Sequence, residues 1–406
     1  MVSPNMEKLG PNSAAALERL AWLNSKEAKS ITSKNRRVVL VGVMLGIAAM
    51  IAVILDGVLR VEKQDKLCLV LDDDFSKGFN KSTWSHEIQL GGYGTGAFDW
   101  TTDSEANTYV EDGKLYLVPT LTVENFWPPY FNTDGFKLNL AASGNCTGTD
   151  EKDCATGNSF TDGRMINPVQ SSRITTKNSV SIRYGRVEVR AKLPTGNWLW
   201  PAIWMMPRDS VYGTWPASGE IDLMESSGNM PRHRMDQRST ASVQSSYHFG
   251  PDWRSNAGGK HTGYQFRWRD YFNQGYHNYV LEWNEKRMRV YVDDPRTTIS
   301  YFEFPKQPMW DYGKFADIHL DPPITNPWIR SASPNVAPFD QHFYLILNVA
   351  VGGKYFGGTD DVVWNGESAY PATTFWNNIK KWYPSWATDP KDRGMAVDRV
   401  RMWQKC

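Results

Sequence analysis

The sequence predicts an all-β domain of two packed antiparallel sheets, preceded by one transmembrane helix. Residues 186–193 alternate apolar and polar side chains, as a half-buried strand does, and residues 344–351 form an almost continuous apolar run that suits a strand covered on both faces. Beyond about residue 67 many such short segments are separated by Gly, Pro and Asn, with no long amphipathic helical pattern. Two stacked antiparallel sheets bury strands of this kind.

The charge of the chain is nearly balanced, which argues against a nucleic-acid partner. Its 406 residues include 45 Lys and Arg against 44 Asp and Glu, for a net charge of +1. The basic residues form no run longer than two and no patch interleaved with aromatic side chains. Binding to a phosphate backbone requires such a patch, so we expect no nucleic-acid binding.

An apolar segment near the N-terminus predicts a membrane span. Residues 38–55 carry no charge, and a helix of this length measures about 27 Å, just enough to cross a bilayer. A buried core helix would show polar positions at helical spacing, and a signal peptide would be shorter and nearer the N-terminus. We assign the chain to four segments: 1–37 a cytoplasmic tail with one short helix at 13–23, 38–59 a transmembrane signal anchor, 60–66 a short stem, and 67–406 the β domain.

The flanks of the span predict its orientation. Five basic residues precede it and three follow it, and cytoplasmic flanks carry the excess of Lys and Arg. We therefore expect a single-pass type II membrane protein with a cytoplasmic N-terminus and a lumenal or extracellular β domain. Two glycosylation acceptor sequences, at Asn80 and Asn145, follow the span and agree with this topology.

The cysteines support the same topology, because all four lie after the span, as in proteins of oxidising compartments. Cys146 and Cys154 could close a loop rich in Gly, Thr and Asp. Cys68 and Cys406 could bond if the first and last strands of the domain are neighbours. Four free thiols are the alternative.

Three carboxylates within residues 220–225 are the main indication of chemistry. Glu220 and Asp222 face the same side of a strand, whereas Glu225 stands an odd step further on and would face the other side. One extra residue accommodated as a β-bulge, at Leu223 or Met224, returns Glu225 to the first face. Carboxylates on one buried face repel, so that one can be charged while another is protonated. Glycoside cleavage by two carboxyl groups about 5 Å apart uses this arrangement.

The neighbouring residues favour an active site over the polar face of an exposed strand. Ile221, Leu223 and Met224 are apolar, so the other face of the strand is expected to pack on a core. Indole rings bind sugars by stacking on the apolar C–H face of the sugar ring. Three tryptophans precede the carboxylates closely, and we expect one of them to belong to the core: Trp200, Trp204 and Trp215.

Three segments resemble glycoside hydrolase family 16: Trp200-Pro-Ala-Ile-Trp-Met, Trp215-Pro-Ala-Ser-Gly-Glu-Ile-Asp-Leu-Met-Glu and Leu347-Asn-Val-Ala-Val-Gly-Gly. The E-x-D-x-x-E spacing resembles the laminarinase (endo-β-1,3-glucanase) branch of the family. Residues 167–174 and 337–348 resemble its β-1,3-glucan-recognition proteins. The resemblance covers about residues 67–406 and implies a jelly-roll β-sandwich with a concave glycan cleft across one sheet.

The resemblance also implies roles for individual residues. Glu220 would be the nucleophile, Glu225 the general acid/base, and Asp222 the neighbour that tunes the charge of Glu220. His248 matches a histidine beside the catalytic carboxylates, although it stands in Tyr-His-Phe-Gly where relatives often have His-Tyr-Gly; a packed strand histidine is the alternative. Asn107 matches an asparagine near the cleft, with a turn or surface role as the alternative.

This chemistry requires no cofactor. Many relatives carry a structural calcium on the face away from the cleft, and the resemblance places its ligands at the Gly113 carbonyl and at Asp398, both hard oxygen donors. An ordinary surface aspartate is the alternative for Asp398. Two long loops, at about 120–163 and 303–340, are expected either to wall the cleft or to decorate the surface.

Three functions remain open, each with β-glucan as the partner. The first is a membrane-anchored retaining hydrolase that cleaves internal β-1,3 linkages by double displacement. The second is a transglycosylase that remodels cell-wall β-glucan, and the third is a non-catalytic β-glucan-binding protein. The presence of all three carboxylates favours an enzyme, because several recognition relatives have lost them.

Overall fold

A computed structural model of the chain describes residues 14–60, 66–125, 131, 133–357, 362–364 and 368–406. The chain divides into two compact units, residues 1–65 and residues 66–406. The described part of the first unit contains the helices α1 (Ala14–Leu23) and α2 (Lys26–Arg60). Helix α1 corresponds to the short helix predicted at 13–23, whose first residue lies outside the described residues.

Helix α2 begins at Lys26 rather than near Val38, so the last part of the predicted tail is helical. The hydroxyl of Ser25 caps this helix by accepting the backbone N–H of Ala28 at 3.1 Å. No Gly or Pro interrupts residues 26–41, which lets the helix propagate. Among the described residues, one helix is both long enough and apolar enough to cross a bilayer. It covers Lys26–Gly57 and has a mean hydropathy of 3.0 in its most apolar window.

The described part of the second unit is built mainly from short strands. They are β1 (Leu67–Asp73), β2 (Ser85–His86), β3 (Asp99–Thr101), β4 (Thr108–Glu111), β5 (Lys114–Leu117), β6 (Thr120–Leu121), β7 (Lys137–Asn139), β8 (Ala155–Gly157), β9 (Val169–Ser171), β10 (Arg173–Thr175), β11 (Ser181–Ile182), β12 (Gly185–Lys192), β13 (Leu199–Pro207), β14 (Glu220–Ser226), β15 (Ser242–His248), β16 (Thr262–Phe266), β17 (His277–Trp283), β18 (Arg287–Val292), β19 (Thr298–Glu303), β20 (Phe343–Val351) and β21 (Met395–Lys405). The helices are short: α3 (Thr122–Asn125), α4 (Glu151–Cys154), α5 (Met309–Tyr312), α6 (Pro371–Asn377), α7 (Ile379–Trp382) and α8 (Pro390–Arg393).

Two large antiparallel sheets carry the fold. The cleft sheet has the strand order β16-β15-β14-β13-β20-β10-β2, with β11 also paired to β20. The back sheet has the order β19-β18-β17-β12-β21-β5-β4, with β1 also paired to β21. A small sheet, β3-β9-β6, contains one parallel pair, β3 with β9. Strands β7 and β8 form a separate antiparallel pair.

The core lies between the two large sheets, because each sheet contributes one apolar face. In β12 the side chains of Val187, Val189 and Ala191 are fully buried in this core, as the alternating pattern predicts. Strand β20, at the centre of the cleft sheet, is buried along its length except for the half-buried Asn348. The continuous apolar run predicted for a doubly covered strand is therefore present.

Both cysteine pairs considered from the sequence are bonded in the structure. Cys68 bonds Cys406, because β1 and the end of β21 are neighbours and Leu67 lies opposite Lys405. Cys146 bonds Cys154 and closes the loop between them. The first bond joins the two ends of the β unit, and the second constrains one of its loops.

Candidate active site

The predicted bulge in β14 is present and places the three carboxylates together. Against β13, Asp222 lies opposite Trp204 and Met224 lies opposite Ile203, so Leu223 is the extra residue. Ile221, Leu223 and Met224 are fully buried in the core. The side chains of Glu220, Asp222 and Glu225 line one cleft of about 940 Å³ on the other face of the sheet.

Glu225 lies at the floor of this cleft, with both carboxyl oxygens held by donors. Nε1 of Trp200 donates to Oε1 at 3.0 Å, and Nε2 of Gln244 donates to Oε2 at 2.8 Å. Burial raises the pKa of Glu225 above its usual range, and the Gln244 hydrogen bond opposes this effect. A buried carboxyl with a raised pKa keeps its proton to higher pH, as a general acid requires.

Arg238 fixes the orientation of the Gln244 amide. Its Nη1 donates to Oε1 of Gln244 at 2.6 Å, which leaves the NH2 end of the amide facing Glu225. Its Nε donates to the carbonyl of Tyr355 at 2.9 Å, and its guanidinium lies 4.0 Å from the centroid of the Tyr355 ring. The same ring stacks on Trp200 at 4.5 Å between centroids. Arg238 therefore supports both donors to Glu225.

Glu220 occupies a different environment. Its side chain is half-buried, and its Oε2 accepts a hydrogen bond from Nε1 of Trp215. Trp215 is 40% exposed and lies beside His248, with 5.9 Å between ring centroids. The glutamate at the mouth of the site is thus more accessible to water than Glu225, which is 9% exposed.

Asp222 lies between the two glutamates in sequence and contacts His248. Its Oδ2 is 3.1 Å from Nε2 of His248. Burial, followed by the charges of Glu220 and Glu225, raises the pKa of Asp222 well above its usual range. Burial lowers the pKa of His248, but the hydrogen bond with Asp222 and the nearby carboxylates outweigh it and raise the pKa to about 10. The pair therefore retains a proton at neutral pH.

Asn256 sets the tautomer of the neutral His248 ring. Its Oδ1 accepts the backbone N–H of Gly258 at 2.9 Å, so its Nδ2 is the end that faces Nδ1 of His248 at 2.8 Å. In the neutral ring this contact makes Nδ1 the acceptor and leaves the ring proton on Nε2, the nitrogen that lies 3.1 Å from Oδ2 of Asp222. A Cβ at Gly258 would lie 2.2 Å from Nδ1 of His248, which explains the glycine there.

All three predicted tryptophans line the cleft. Nε1 of Trp204 donates to Oδ1 of Asn348 at 2.8 Å, and the guanidinium of Arg173 lies 4.6 Å from its ring. Trp200 and Trp204 are half-buried, and Trp215 is exposed. Trp200 is the one of the three that also packs against the hydrophobic core, although it is half-buried and lines the cleft.

Asn107 does not contribute to the cleft. Its side chain is fully buried and all of its polar atoms are engaged: Nδ2 donates to the carbonyl of Val118 at 2.9 Å and to Oγ1 of Thr120 at 3.0 Å, and Oδ1 accepts from Thr102 at 2.7 Å. The predicted substrate contact is therefore corrected to a structural role. Its amide joins the turn before β4 to the segment after β5.

Only one of the two long loops reaches the cleft. Asp150, Lys152 and Asp153, from the loop closed by the Cys146–Cys154 bond, line it. No residue of 303–340, all of which the structure describes, lines the cleft. Trp328 of that loop is instead 1% exposed and donates to the carbonyl of Ala217 at 2.8 Å, so the loop packs behind the turn that leads into β14.

The two predicted calcium ligands, the Gly113 carbonyl and the Asp398 carboxylate, do not form a suitable set of oxygen ligands for calcium. The carboxylate of Asp398 is already paired with the guanidinium of Arg190. A cation held by Asp398 and the Gly113 carbonyl would have to displace that positive charge, so these residues do not fit calcium as they stand. Asn80 and Asn145 are both exposed, which leaves their side chains accessible to a glycosylating enzyme. Glycosylation at either stays a prediction.

Sequence reasoning missed Gln244, Arg238, Tyr355 and Arg173, all of which line the cleft. One signal was available for Gln244, which stands four residues before His248 in β15 and therefore on the same face of the strand. Arg173 stands within residues 167–174, one of the segments that carry the family resemblance, whereas no local pattern marks Arg238 or Tyr355.

A two-sheet β-sandwich with a cleft that is floored by carboxylates and lined by indoles has the architecture of a glycosidase-type domain. Residues 134–314 match the family model described as glycosyl hydrolases family 16. The chain is 36% identical to a beta-1,3-glucan-binding protein of Penaeus monodon over 89% of this chain and 98% of that protein. It is 31% identical to a glucan endo-1,3-beta-glucosidase of Cryptopygus antarcticus over 71% of this chain and 81% of that protein. The chain belongs to glycosyl hydrolases family 16.

The fold agrees with this assignment. The laminarinase from Rhodothermus marinus superposes with a TM-score of 0.51 at 22% identity, over 85% of this chain and all of that structure. This similarity confirms the two-sheet jelly-roll fold expected from the sequence.

Proposed function

We propose that this chain is a membrane-anchored retaining glycosidase that cleaves internal β-1,3 linkages of β-glucan. The observation that carries the proposal is the placement of Glu220 and Glu225 on one face of β14 in different environments, one accessible and the other buried with a raised pKa. The named activity of the Cryptopygus antarcticus relative supports β-1,3-glucan as the substrate.

In the first step the carboxylate of Glu220 attacks the anomeric carbon and forms a glycosyl ester, while the bond to the leaving oxygen breaks. The N–H of Trp215 holds Oε2 of Glu220, which leaves Oε1 free for the attack. Glu225 donates its proton to the leaving oxygen. Its position is fixed by Trp200 and Gln244, so the proton is delivered without reorganisation of the side chain.

In the second step Glu225, now a carboxylate, takes a proton from water. The resulting nucleophile attacks the anomeric carbon, the ester to Glu220 breaks, and the configuration of the substrate is retained. Asp222 and His248 contact each other beside Glu220 and hold a proton there. That proton limits the negative charge near Glu220 and keeps its carboxylate available for the attack.

The cleft has the chemistry that a neutral polysaccharide requires. Its walls contain the indoles of Trp200, Trp204 and Trp215, which can stack on the apolar faces of sugar rings. They also contain amide, hydroxyl and guanidinium groups, which can form hydrogen bonds with the sugar hydroxyl groups. An anchor in the membrane is consistent with α2, and it would hold the domain close to polymers at the membrane surface.

A second candidate function is glucan binding without turnover, because the Penaeus monodon relative is named a binding protein. The two functions share the cleft and differ in the chemistry of Glu220 and Glu225. A single experiment distinguishes hydrolysis from binding without turnover, and both of them from transfer to a sugar acceptor, the reaction of a transglycosylase.

The experiment incubates the full chain, purified in detergent, with reduced laminarihexaose and sizes the products. We expect shorter oligosaccharides only, and no product from Glu220→Gln under the same conditions, because that variant lacks the nucleophile but retains the shape of the side chain. Laminarihexaose binding by Glu220→Gln, measured by calorimetry, verifies that its cleft is intact.

Other outcomes would contradict the proposal in distinct ways. Products longer than the substrate would establish transfer to a sugar acceptor. Binding by the unaltered chain without any product would establish the non-catalytic function. Equal turnover by Glu220→Gln and the unaltered chain would remove Glu220 from the mechanism.

A further inference from the structure

Strand β16, at the edge of the cleft sheet, carries an aromatic series away from the active site. Thr262 and Tyr264 line the cleft. Phe266 is two residues further along the strand, on the same face, and its ring stacks on that of Tyr264 with 6.1 Å between centroids and 19° between planes. The aromatic surface therefore continues beyond the residues that enclose the cleft.

The chain stays paired for one residue past the end of β16 and then bends at residues 268–270. The backbone N–H of Arg267 donates to the carbonyl of Ala241 at 2.8 Å, which maintains the pairing for one more residue. The guanidinium of Arg267 turns to the opposite side, where it binds Asp293 at 2.7 Å. Because the side chain of Arg267 faces away from the cleft, Trp268, where the bend begins, is the next residue toward the side of Tyr264 and Phe266.

Trp268 is held in place although no core covers it. Its side chain is 66% exposed, and the guanidinium of Arg234 lies 4.0 Å from its ring. A cation–π contact of this kind holds one face of an indole and leaves the other free. A large exposed aromatic ring continuous with a cleft is a feature of binding surfaces rather than of ordinary protein exteriors.

We propose that Tyr264, Phe266 and Trp268 form an aromatic ledge that binds a β-glucan chain where it leaves the catalytic cleft. The inference rests on the proposed function, because it takes β-glucan as the ligand of the cleft. From Tyr264 to Trp268 the extended backbone covers about 13 Å, so the ledge adds contacts that only a chain longer than the cleft can make.

The chemistry of the ledge favours a neutral sugar chain over other ligands. Its rings offer flat apolar faces for the C–H surfaces of pyranose rings, and Arg234 offers hydrogen-bond donors for their hydroxyl groups. Continuity through Tyr264 with the cleft means that one polymer can occupy both surfaces. The ledge therefore selects polymer over short oligosaccharide.

The test measures the affinity of the full chain in detergent for laminarin and for laminaritriose, in a Glu220→Gln background that prevents turnover. We expect Trp268→Ala to weaken laminarin binding about tenfold, the effect of losing one stacking contact. The loss for laminaritriose should be several times smaller, because a trisaccharide bound in the cleft does not reach the ledge. Trp268→Tyr should recover most of the laminarin affinity, since it restores an aromatic face.

Trp253→Ala is the matched control, because Trp253 is 71% exposed but lies outside the ledge. It should bind laminarin like the Glu220→Gln parent. The ledge would be overturned if Trp268→Ala bound laminarin as tightly as the parent does, or if it lost affinity for laminarin and laminaritriose equally. Either result would leave the proposed function standing. A parent that binds neither glucan would overturn the proposed function and the ledge with it.

Discussion

Oδ2 of Asp222 lies 3.1 Å from Nε2 of His248, which brings a carboxyl group and an imidazole together beside Glu220. Both groups have raised pKa values, and the value for His248 is about 10. Nδ2 of Asn256 lies 2.8 Å from the other ring nitrogen, Nδ1. The charge beside Glu220 is therefore controlled by a pair of residues and not by Asp222 alone.

We predict that Asp222→Asn lowers the pKa of His248 substantially, because the variant removes both the hydrogen-bonded carboxylate and its charge. The kcat/KM for laminarin should fall about ten- to a hundredfold, the effect of losing a charge-assisted contact next to the nucleophile. NMR titration of the imidazole checks the first effect, with the His277 resonances as internal control because His277 contacts Asp293 in the back sheet. An unchanged His248 titration would show that Asp222 does not set its protonation.

We predict that Glu225→Ala retains the first chemical step when the leaving group needs no proton. Turnover of laminarin should fall about 10²- to 10⁴-fold, as expected for loss of general acid catalysis. A dinitrophenyl laminaribioside should still form the glycosyl ester, and added azide should speed its release and give the β-azide. Glu220→Ala with azide should give the α-azide instead. The same anomer from both variants would contradict the assigned roles.

We predict that Arg238→Met moves the alkaline limb of the pH–rate profile to higher pH. Glu225 must be protonated for the first step, so kcat/KM falls as pH rises through its pKa. The positive charge of Arg238 lowers that pKa, and its removal raises the pKa and extends activity upward. Arg238→Lys keeps the charge and should leave the limb in place while it lowers activity through the misoriented Gln244. A limb at the same pH in all three proteins would exclude this influence.

We predict that the two disulfides contribute differently. The cysteines of Cys68–Cys406 are 338 residues apart in sequence, and those of Cys146–Cys154 are 8 apart. Each bond lowers the entropy of the unfolded chain, which adds about 5–6 kcal/mol to the free energy of unfolding for the first bond and about 2.5 kcal/mol for the second. Thermal unfolding should therefore show a larger loss for Cys68→Ser/Cys406→Ser than for Cys146→Ser/Cys154→Ser. The second double variant should also raise KM, because its loop lines the cleft. The reverse order of stability would contradict this account.

We predict that the N-terminal segment anchors the chain with the β unit lumenal or extracellular. Helix α2 should resist extraction by alkaline carbonate, and an N-terminal epitope should be accessible from the cytoplasm only. Removal of N-linked glycans should reduce the apparent mass, with one step lost in Asn80→Gln and another in Asn145→Gln. Release of the chain by carbonate, or a mass that does not change in either variant, would oppose this topology.

The elements that sequence alone predicted depend on local periodicity. An odd spacing between Asp222 and Glu225 required a bulge, because side chains in a strand alternate with a period of two, and Leu223 supplies it. Strict alternation predicted β12, and a continuous apolar run predicted β20. Hydropathy predicted the apolar span but not the helical residues before it, because the start of α2 depends on the Ser25 cap and on the helix propensity of the residues after it.

Tertiary structure decided the contacts that make the site work. Arg238 reaches Gln244 from the loop before β15, and Tyr355 reaches Trp200 from beyond β20. Asn107 was assigned to the cleft by resemblance, but its burial between strands engages all of its polar atoms. Such contacts depend on which strands are neighbours and in what register, and these are properties of the whole fold. The sequence by itself determined the carboxylates and the faces they share; only the packed sheets determined which groups hold them and how their protons are placed.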